Sequence, residues 1–234
     1  MILKMPQTIA VLFRRAPGGG QFETGSAFEE GNTMVCISCE GVTIGGLRLP
    51  PFKLESGELI CLHMPCLANS KEERQIIQLL TGEVPARGLS IFGRILFAEP
   101  PEFRSGLLSL FRRSRVGDWL QKRGGVSLAQ AVVIANGLGL ETSEQICRLE
   151  GSPKVRLGLE AAWARGPQAI IFSTVGCERL PLLEVVLSHI DQCPAIHLSY
   201  PFWNQGQRKR ECHPRARCIE VTQIQGVSES RKIA

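Results

Sequence analysis

The chain begins in a polar, glycine-broken stretch and takes on regular apolar punctuation only at Thr33. Met1–Asn32 contains the run Pro17–Gly20 and ends in Glu29-Glu30-Gly31-Asn32, which reads as an extension or flexible lead-in. From Thr33 the short apolar runs Met34–Ser38, Leu47–Phe52 and Glu58–His63, set between Gly and Pro turns, predict strands of a small sheet. Ile76, Ile77, Leu79 and Leu80 then gather at the end of a polar segment starting at Asn69, and Thr81-Gly82 stops it, as in a helix with a glycine C-cap. Leu89–Phe92 and Ile95–Phe97 predict a hairpin, and Phe103–Arg113, Leu128–Gly137 and Ser143–Arg148 predict a helical insert. Pro153–Ala164 reads as a helix with proline near its first turn, followed by the strand Ala169–Phe172, the helix Leu180–Ile190 and the strand Ala195–Leu198. This alternation implies parallel βαβ units.

Composition narrows the class. With 44% hydrophobic and 21% charged residues over 234 positions, the chain can bury a sizeable core as a soluble α/β protein. Its longest apolar runs, such as Ala131–Ala135 and Ala169–Phe172, fall far short of the roughly eighteen residues that span a bilayer. The first fifteen residues lack a long apolar region and a small-residue cleavage site, so a cytoplasmic protein is expected. Nine scattered cysteines, an odd number, suit reduced thiols better than a disulfide framework. The net charge of +5 is interspersed with acids outside Arg112–Arg115 and Arg208–Arg210, and these lack the interleaved aromatics of a nucleic-acid module.

Several chemistries are disfavoured by spacing. Cys36 and Cys39 lie on a predicted strand, where residues three apart face opposite sides, so neither a zinc knuckle nor a thioredoxin-type motif is expected. No G-x-S-x-G elbow is present, and His63, His189, His197 and His213 form no ligand-spaced pair.

The order of elements, with several residue strings, resembles the nucleotide-binding domain of ABC transporters. Val35–Val42 followed by Phe52–Ile60 is similar to the family's two opening strands and the turn into its phosphate-binding loop; Leu79–Gly82 resembles the end of its first helix, and Gly88–Arg94 its next strand and turn. Arg115–Gln121 resembles the segment ending in the Q-loop glutamine. Leu149-Glu150-Gly151-Ser152-Pro153 resembles a degenerate signature, with Lys154–Arg156 opening and Ala161–Pro167 closing its helix. The resemblance implies a P-loop NTPase-like α/β fold, a mixed core sheet with flanking helices, an antiparallel β subdomain and a helical subdomain at about 103–150. It implies an ATPase-like domain over 33–226, with 1–32 an extension and 227–234 a tail.

The residues that the family's chemistry requires are absent. A phosphate-binding loop of the type GxxxxGK[ST] needs glycines that let backbone N–H groups converge on phosphates, plus a lysine and a hydroxyl. No glycine lies between Glu58 and Thr81. The lysine position falls at Ser70 if aligned on the preceding strand, or at Glu73 if aligned on Leu79–Gly82; Lys71 lies near both but reads as a solvated helix residue. Glu72 and Glu73 would favour the helix dipole themselves and repel a triphosphate. Where an aspartate and a glutamate should end the strand Ala169–Phe172, the chain has Ser173 and Thr174, which supply neither charge nor a base. The family's histidine position falls at Ser199, with His197 on the same face of the strand.

The expectation is therefore a pseudo-ATPase that binds neither ATP nor magnesium and holds no metal. As a structural or regulatory subunit it would pair with itself or with an active ABC ATPase and contact a membrane permease, at the inner face of the membrane, with Gln121 as a surviving coupling residue. The alternatives are a soluble adaptor using the old dimer face and a residual ATPase.

Overall fold

The computed structural model describes residues 34–65, 70–101, 114–175, 177–200, 202–204, 207–209 and 213–224, with backbone alone for 202–204 and 207–209. All of them lie in the unit Thr33–Ala234. Five short strands open it: β1 (Val35–Cys39), β2 (Val42–Ile44), β3 (Leu47–Leu49), β4 (Phe52–Glu55) and β5 (Leu59–His63). There follow α1 (Lys71–Leu80), β6 (Leu89–Ile91), β7 (Ile95–Phe97), α2 (Val116–Trp119), which runs into a π-helical turn at Leu120–Gly124, and α3 (Leu128–Gly137). A 3-10 turn at Ile146–Arg148 leads to α4 (Ser152–Trp163), β8 (Ala169–Ser173), α5 (Arg179–Leu187) and β9 (Ala195–Ser199). The described chain closes with β10 (Phe202–Asn204), β11 (Gln207–Lys209), β12 (Ala216–Glu220) and β13 (Thr222–Gln223).

The scaffold is a five-stranded sheet in the order β12-β5-β9-β8-β7, every pairing parallel. All residues of β5, β8 and β9 are buried, the pattern of strands covered on both faces. Strand alternation sends Ile60, Leu62, Ile171, Ile196 and Leu198 to one face, against Ile76, Leu79 and Leu80 of α1 and the antiparallel strands. Leu59, Ile170, Phe172 and Ala195 face the other side, against α4 and α5. Each such Leu, Ile or Val contributes on the order of 1.5–3 kcal/mol by leaving water. A third core, built on Val116, Leu120, Ala131, Ala135, Ile146 and Leu157, holds the helical part together.

Local signals set the helix starts. Ser70 caps α1 by accepting the Glu73 N–H at 3.1 Å. Ser127 and Gln130 form a reciprocal capping box on α3. Gly151, at φ 60 and ψ −134, turns the chain into α4 in a conformation open only to glycine, and Pro153 follows in the first turn. Gly158 then lets α4 approach the chain after β7, since a Cβ there would stand 2.8 Å from the Glu99 carbonyl oxygen.

Several sequence expectations give way here. Leu89–Phe92 and Ile95–Phe97 do not form a hairpin: β6 pairs antiparallel with β1, while β7 pairs parallel with β8. Gly93 turns the chain between the two sheets at φ 88, and the Gln168 side chain accepts the Arg94 N–H at 2.6 Å. Leu47–Phe52 is two strands, because Pro50-Pro51 breaks the ladder between β3 and β4. Ser143–Arg148 shortens to a single 3-10 turn. The cysteines are not all thiols, for Cys218 is disulfide-bonded. The expected helix Phe103–Arg113 and the extension Met1–Asn32 also lie outside them.

Candidate functional site

In an open parallel α/β sheet, chemistry gathers beyond the carboxyl ends of the strands. Here that edge is formed by His63 of β5, Ser199 and Tyr200 at the end of β9, Ser173 and Thr174 at the end of β8, and the Ala98-Glu99 segment after β7. The N-terminus of α1, the next described element after β5, carries Glu73 in its first turn, buried to 4% exposure. Tyr200 donates its hydroxyl to the Glu73 carboxylate. The positive end of α1 is thus shared between the Ser70 hydroxyl and this chain's own carboxylate.

A second polar chain crosses the sheet one step inward. Register pairs Cys61 with His197 and His63 with Ser199, and strand alternation puts all four on the α5 side of the sheet. His197, with no exposed surface, stacks on Phe172 with centroids 5.0 Å apart. Its Nε2 lies 2.9 Å from Thr174 Oγ1 and its Nδ1 3.4 Å from Cys61 Sγ. Burial, then the nearby positive charges of Arg179 and His63, push its pKa down to about 3, so the ring is neutral at physiological pH. Burial also pushes the Cys61 thiol up, partly countered by a hydrogen bond with Ser199. The thiol therefore keeps its proton and donates to Nδ1, which leaves the Nε2–H to donate to Thr174, an assignment made from the network. Thr174 in turn accepts on its backbone carbonyl from Cys177 Sγ at 3.1 Å.

The structure gathers most of the residues singled out in the sequence. Ser70, Glu73, Ser173, Thr174 and Ser199 all lie at the carboxyl edge or on the N-terminal turn of α1, whereas Lys71 is exposed and Glu72 half-buried on α1. Gln121 is elsewhere: it sits in the π-helical turn, its side chain donating to the Gly117 carbonyl at 3.3 Å. The polar residue following β7 is Glu99, paired at 3.7 Å with Arg123 of that same turn. Leu149 packs into the helical core, Glu150 is exposed, and Gly151, Ser152 and Pro153 build the start of α4. Sequence reading passed over Glu99 and Tyr200. The signal for Glu99 was its place after the apolar run Ile95–Phe97, just before Pro100. Among the described residues, no group of three His, Cys, Asp or Glu is arranged to hold a metal ion.

A mixed α/β unit with a parallel core sheet, a separate antiparallel sheet and a helical layer between β7 and α4 is the class to which this architecture belongs. It has the fold of ABC-transporter ATP-binding domains, as comparison with solved structures shows. An ABC-transporter ATP-binding protein of Pyrococcus furiosus aligns over 80% of this chain and 96% of its own, with TM-score 0.57 and 14% identity. A transporter assigned to the metal-chelate type, in an inward-facing conformation, covers 70% of this chain and 72% of its own at TM-score 0.53 and 16% identity. A bacterial Atm1-family ABC exporter with ATP bound covers 76% of this chain and 39% of its own at TM-score 0.51 and 14% identity. No protein-family model and no curated protein sequence matches the chain.

Proposed function

We propose that this chain is a catalytically silent homologue of an ABC ATPase domain, a structural or regulatory subunit of a membrane-associated complex. The observation that carries the reading is the buried Glu73 carboxylate in the first turn of α1, bound by Tyr200. A triphosphate arriving there would meet a negative charge already seated on the helix dipole. At the end of β8, Ser173 and Thr174 offer no carboxylate for magnesium or for activating water, and the neighbouring His197 is held neutral. These features support an edge that takes no magnesium nucleotide.

The subunit role is supported by the helical layer. The ten residues of α3 carry no charge, and Leu128, Val132 and Val133 are 59%, 38% and 54% exposed. Beside the basic Lys122–Ser127 segment, they offer an apolar face suited to a helix of a permease. No helix among the described residues is long and apolar enough to cross a membrane, so membrane association would come through that partner. An ATPase domain, this chain's copy or an active one, would be the second partner, with the complex at the cytoplasmic face.

One observation favours the alternative of a soluble adaptor: Val175 and Leu180, beside the carboxyl edge, are 50% and 55% exposed and would suit a protein contact there. Calorimetric titration of the purified chain with magnesium ATP tests the silent site; no heat of binding is expected, and micromolar affinity would overturn the reading. Affinity purification from detergent-solubilised membranes separates the two roles. A permease and an intact ATPase are expected in the eluate, and recovery of soluble proteins alone would select the adaptor.

A further inference from the structure

The junction of α4 and α5 carries a histidine that the proposed role does not use. α5 has no basic residue in its last turn, and its Val185 carbonyl takes two donors from just beyond the helix, Ser188 Oγ at 2.7 Å and His189 Nδ1 at 3.1 Å. A carbonyl only accepts, so Nδ1 carries a proton and the neutral ring keeps its lone pair on Nε2. The half-buried ring lies flat on the indole of Trp163, the last residue of α4, with centroids 4.3 Å apart and planes 16° from parallel. Glu160 stands three residues before Trp163, on the same side of α4. Burial pushes the Glu160 carboxyl up, and the charges of His189 and Arg156 draw it back. The negative end of α5, the face of an indole and a carboxylate thus converge on one imidazole, and each attracts a positive charge. Among the described residues, the other titratable or charged groups nearby are engaged elsewhere or neutral. Arg156 precedes Glu160 by four residues on α4 and sets its charge against that carboxylate. Glu184 of α5 accepts from His213 at 3.0 Å, and Asp191 is exposed and directed toward the Gly57 turn. Cys193 is a neutral thiol, pushed up to about 11 by burial.

We propose that His189 is a proton-operated latch between α4 and α5. A proton taken from solvent at Nε2 turns the ring into an imidazolium and leaves the Nδ1–H bond to Val185 in place. The cation then ties the end of α5 to Trp163 and Glu160 of α4. Loss of that proton leaves a neutral stack, and the last turn of α5 opens more readily. The response is opposite in sign to that of His197, whose buried ring is held neutral. Acid therefore weakens the network across the strands while it tightens the helix pair covering them. The latch lies away from the carboxyl edge and does not depend on whether that edge binds a nucleotide.

Two measurements on the full chain test the latch. The first is native-state hydrogen exchange of the unaltered protein. The Ser188 and His189 N–H groups close the end of α5 on the Glu184 and Val186 carbonyls. Their protection, corrected for the intrinsic pH dependence of exchange, should rise roughly two- to fivefold between pH 7.5 and 5.5, the gain expected of a partly exposed cation over an indole. His189→Gln, whose amide can still donate to the Val185 carbonyl but takes up no proton, should show no rise, and Glu160→Gln should show a smaller one. The second measurement is fluorescence of a chain carrying Trp119→Phe and Trp203→Phe, in which Trp163 is the one remaining tryptophan. Its emission should fall reversibly from pH 8 to 5 and stay level once His189→Gln is added. If the substituted chains do not fold, exchange in the unaltered protein decides the matter. Protection of these two amides that stays flat or falls in acid, or an emission change of equal size with and without His189, would each overturn the proposal.

Discussion

His197 Nε2 lies 2.9 Å from Thr174 Oγ1, joining the middle of β9 to the end of β8 through a ring with no exposed surface. The Nε2–H donates to that hydroxyl oxygen, and only a neutral ring leaves Nδ1 free to accept from the Cys61 thiol. Because the folded pKa, about 3, lies below the 6.5 of an unperturbed histidine, the unfolded chain binds more protons between these values. The His197 contribution to stability is therefore complete above pH 6.5 and is lost progressively as pH falls toward 3, at up to about 1.4 kcal/mol per pH unit. Urea denaturation at pH 7.5, 6 and 5 should show this fall, and His197→Gln, less stable at pH 7.5, should show a shallower one. Parallel pH slopes for the two proteins would mean that the buried ring is not the source.

Tyr200→Phe removes the donor that holds the Glu73 carboxylate. Losing a hydrogen bond to a buried charged group should cost about 1–3 kcal/mol, read as a lowered urea midpoint with unchanged m-value. If Phe at this position leaves the midpoint unchanged, the bond contributes nothing to folding.

Two glycines should respond to alanine in opposite ways. A Cβ at Gly158 would stand 2.8 Å from the Glu99 carbonyl oxygen and 3.2 Å from Pro100 Cα, both backbone atoms. The clash should outweigh the helix-propensity gain of about 1 kcal/mol and leave Gly158→Ala less stable by about 1–3 kcal/mol. Gly137 closes α3 with nothing within 4 Å of its added Cβ, so Gly137→Ala should be neutral to slightly stabilising. Thermal denaturation of the pair checks both signs.

Val133→Glu tests the α3 face. The side chain is 54% exposed, so the substitution should leave stability within about 0.5 kcal/mol of wild type. Under the subunit reading it should sharply reduce recovery of the membrane partner in the purification described above. Full recovery of that partner would place the contact elsewhere.

Much of the fold was legible because the buried strands advertise themselves. Ala169–Phe172 and Ala195–Leu198 are short runs without charge between helical patterns, and they become β8 and β9. Helix α1 ends where Thr81-Gly82 said it would, with Gly82 at φ 78. β6 and β7 were misread because two neighbouring apolar runs across a glycine look like a hairpin whether they pair with each other or with distant strands. Only the long-range partners Ile37 and Ala169 distinguish the two cases. Glu99 was missed for the same reason, since its place at the sheet edge follows from the pairing of β7. Cys218 adds a different lesson: a count of cysteines carries no information on which of them approach one another.

The sequence by itself determined the absence of glycines between Glu58 and Thr81, the neutral residues Ser173 and Thr174, and the acids at 72 and 73. These are identities, independent of how the chain folds. Only tertiary structure decided that Glu73 turns inward to Tyr200, that His197 reaches Thr174 and Cys61, and that Cys61 lies level with Cys218. Those relations join residues from 23 positions apart, Thr174 and His197, to 157 apart, Cys61 and Cys218. Parallel pairing sets the His197 contacts, because it brings β5 and β8 to either side of β9 and so supplies Cys61 and Thr174 from chain segments that sequence distance keeps apart.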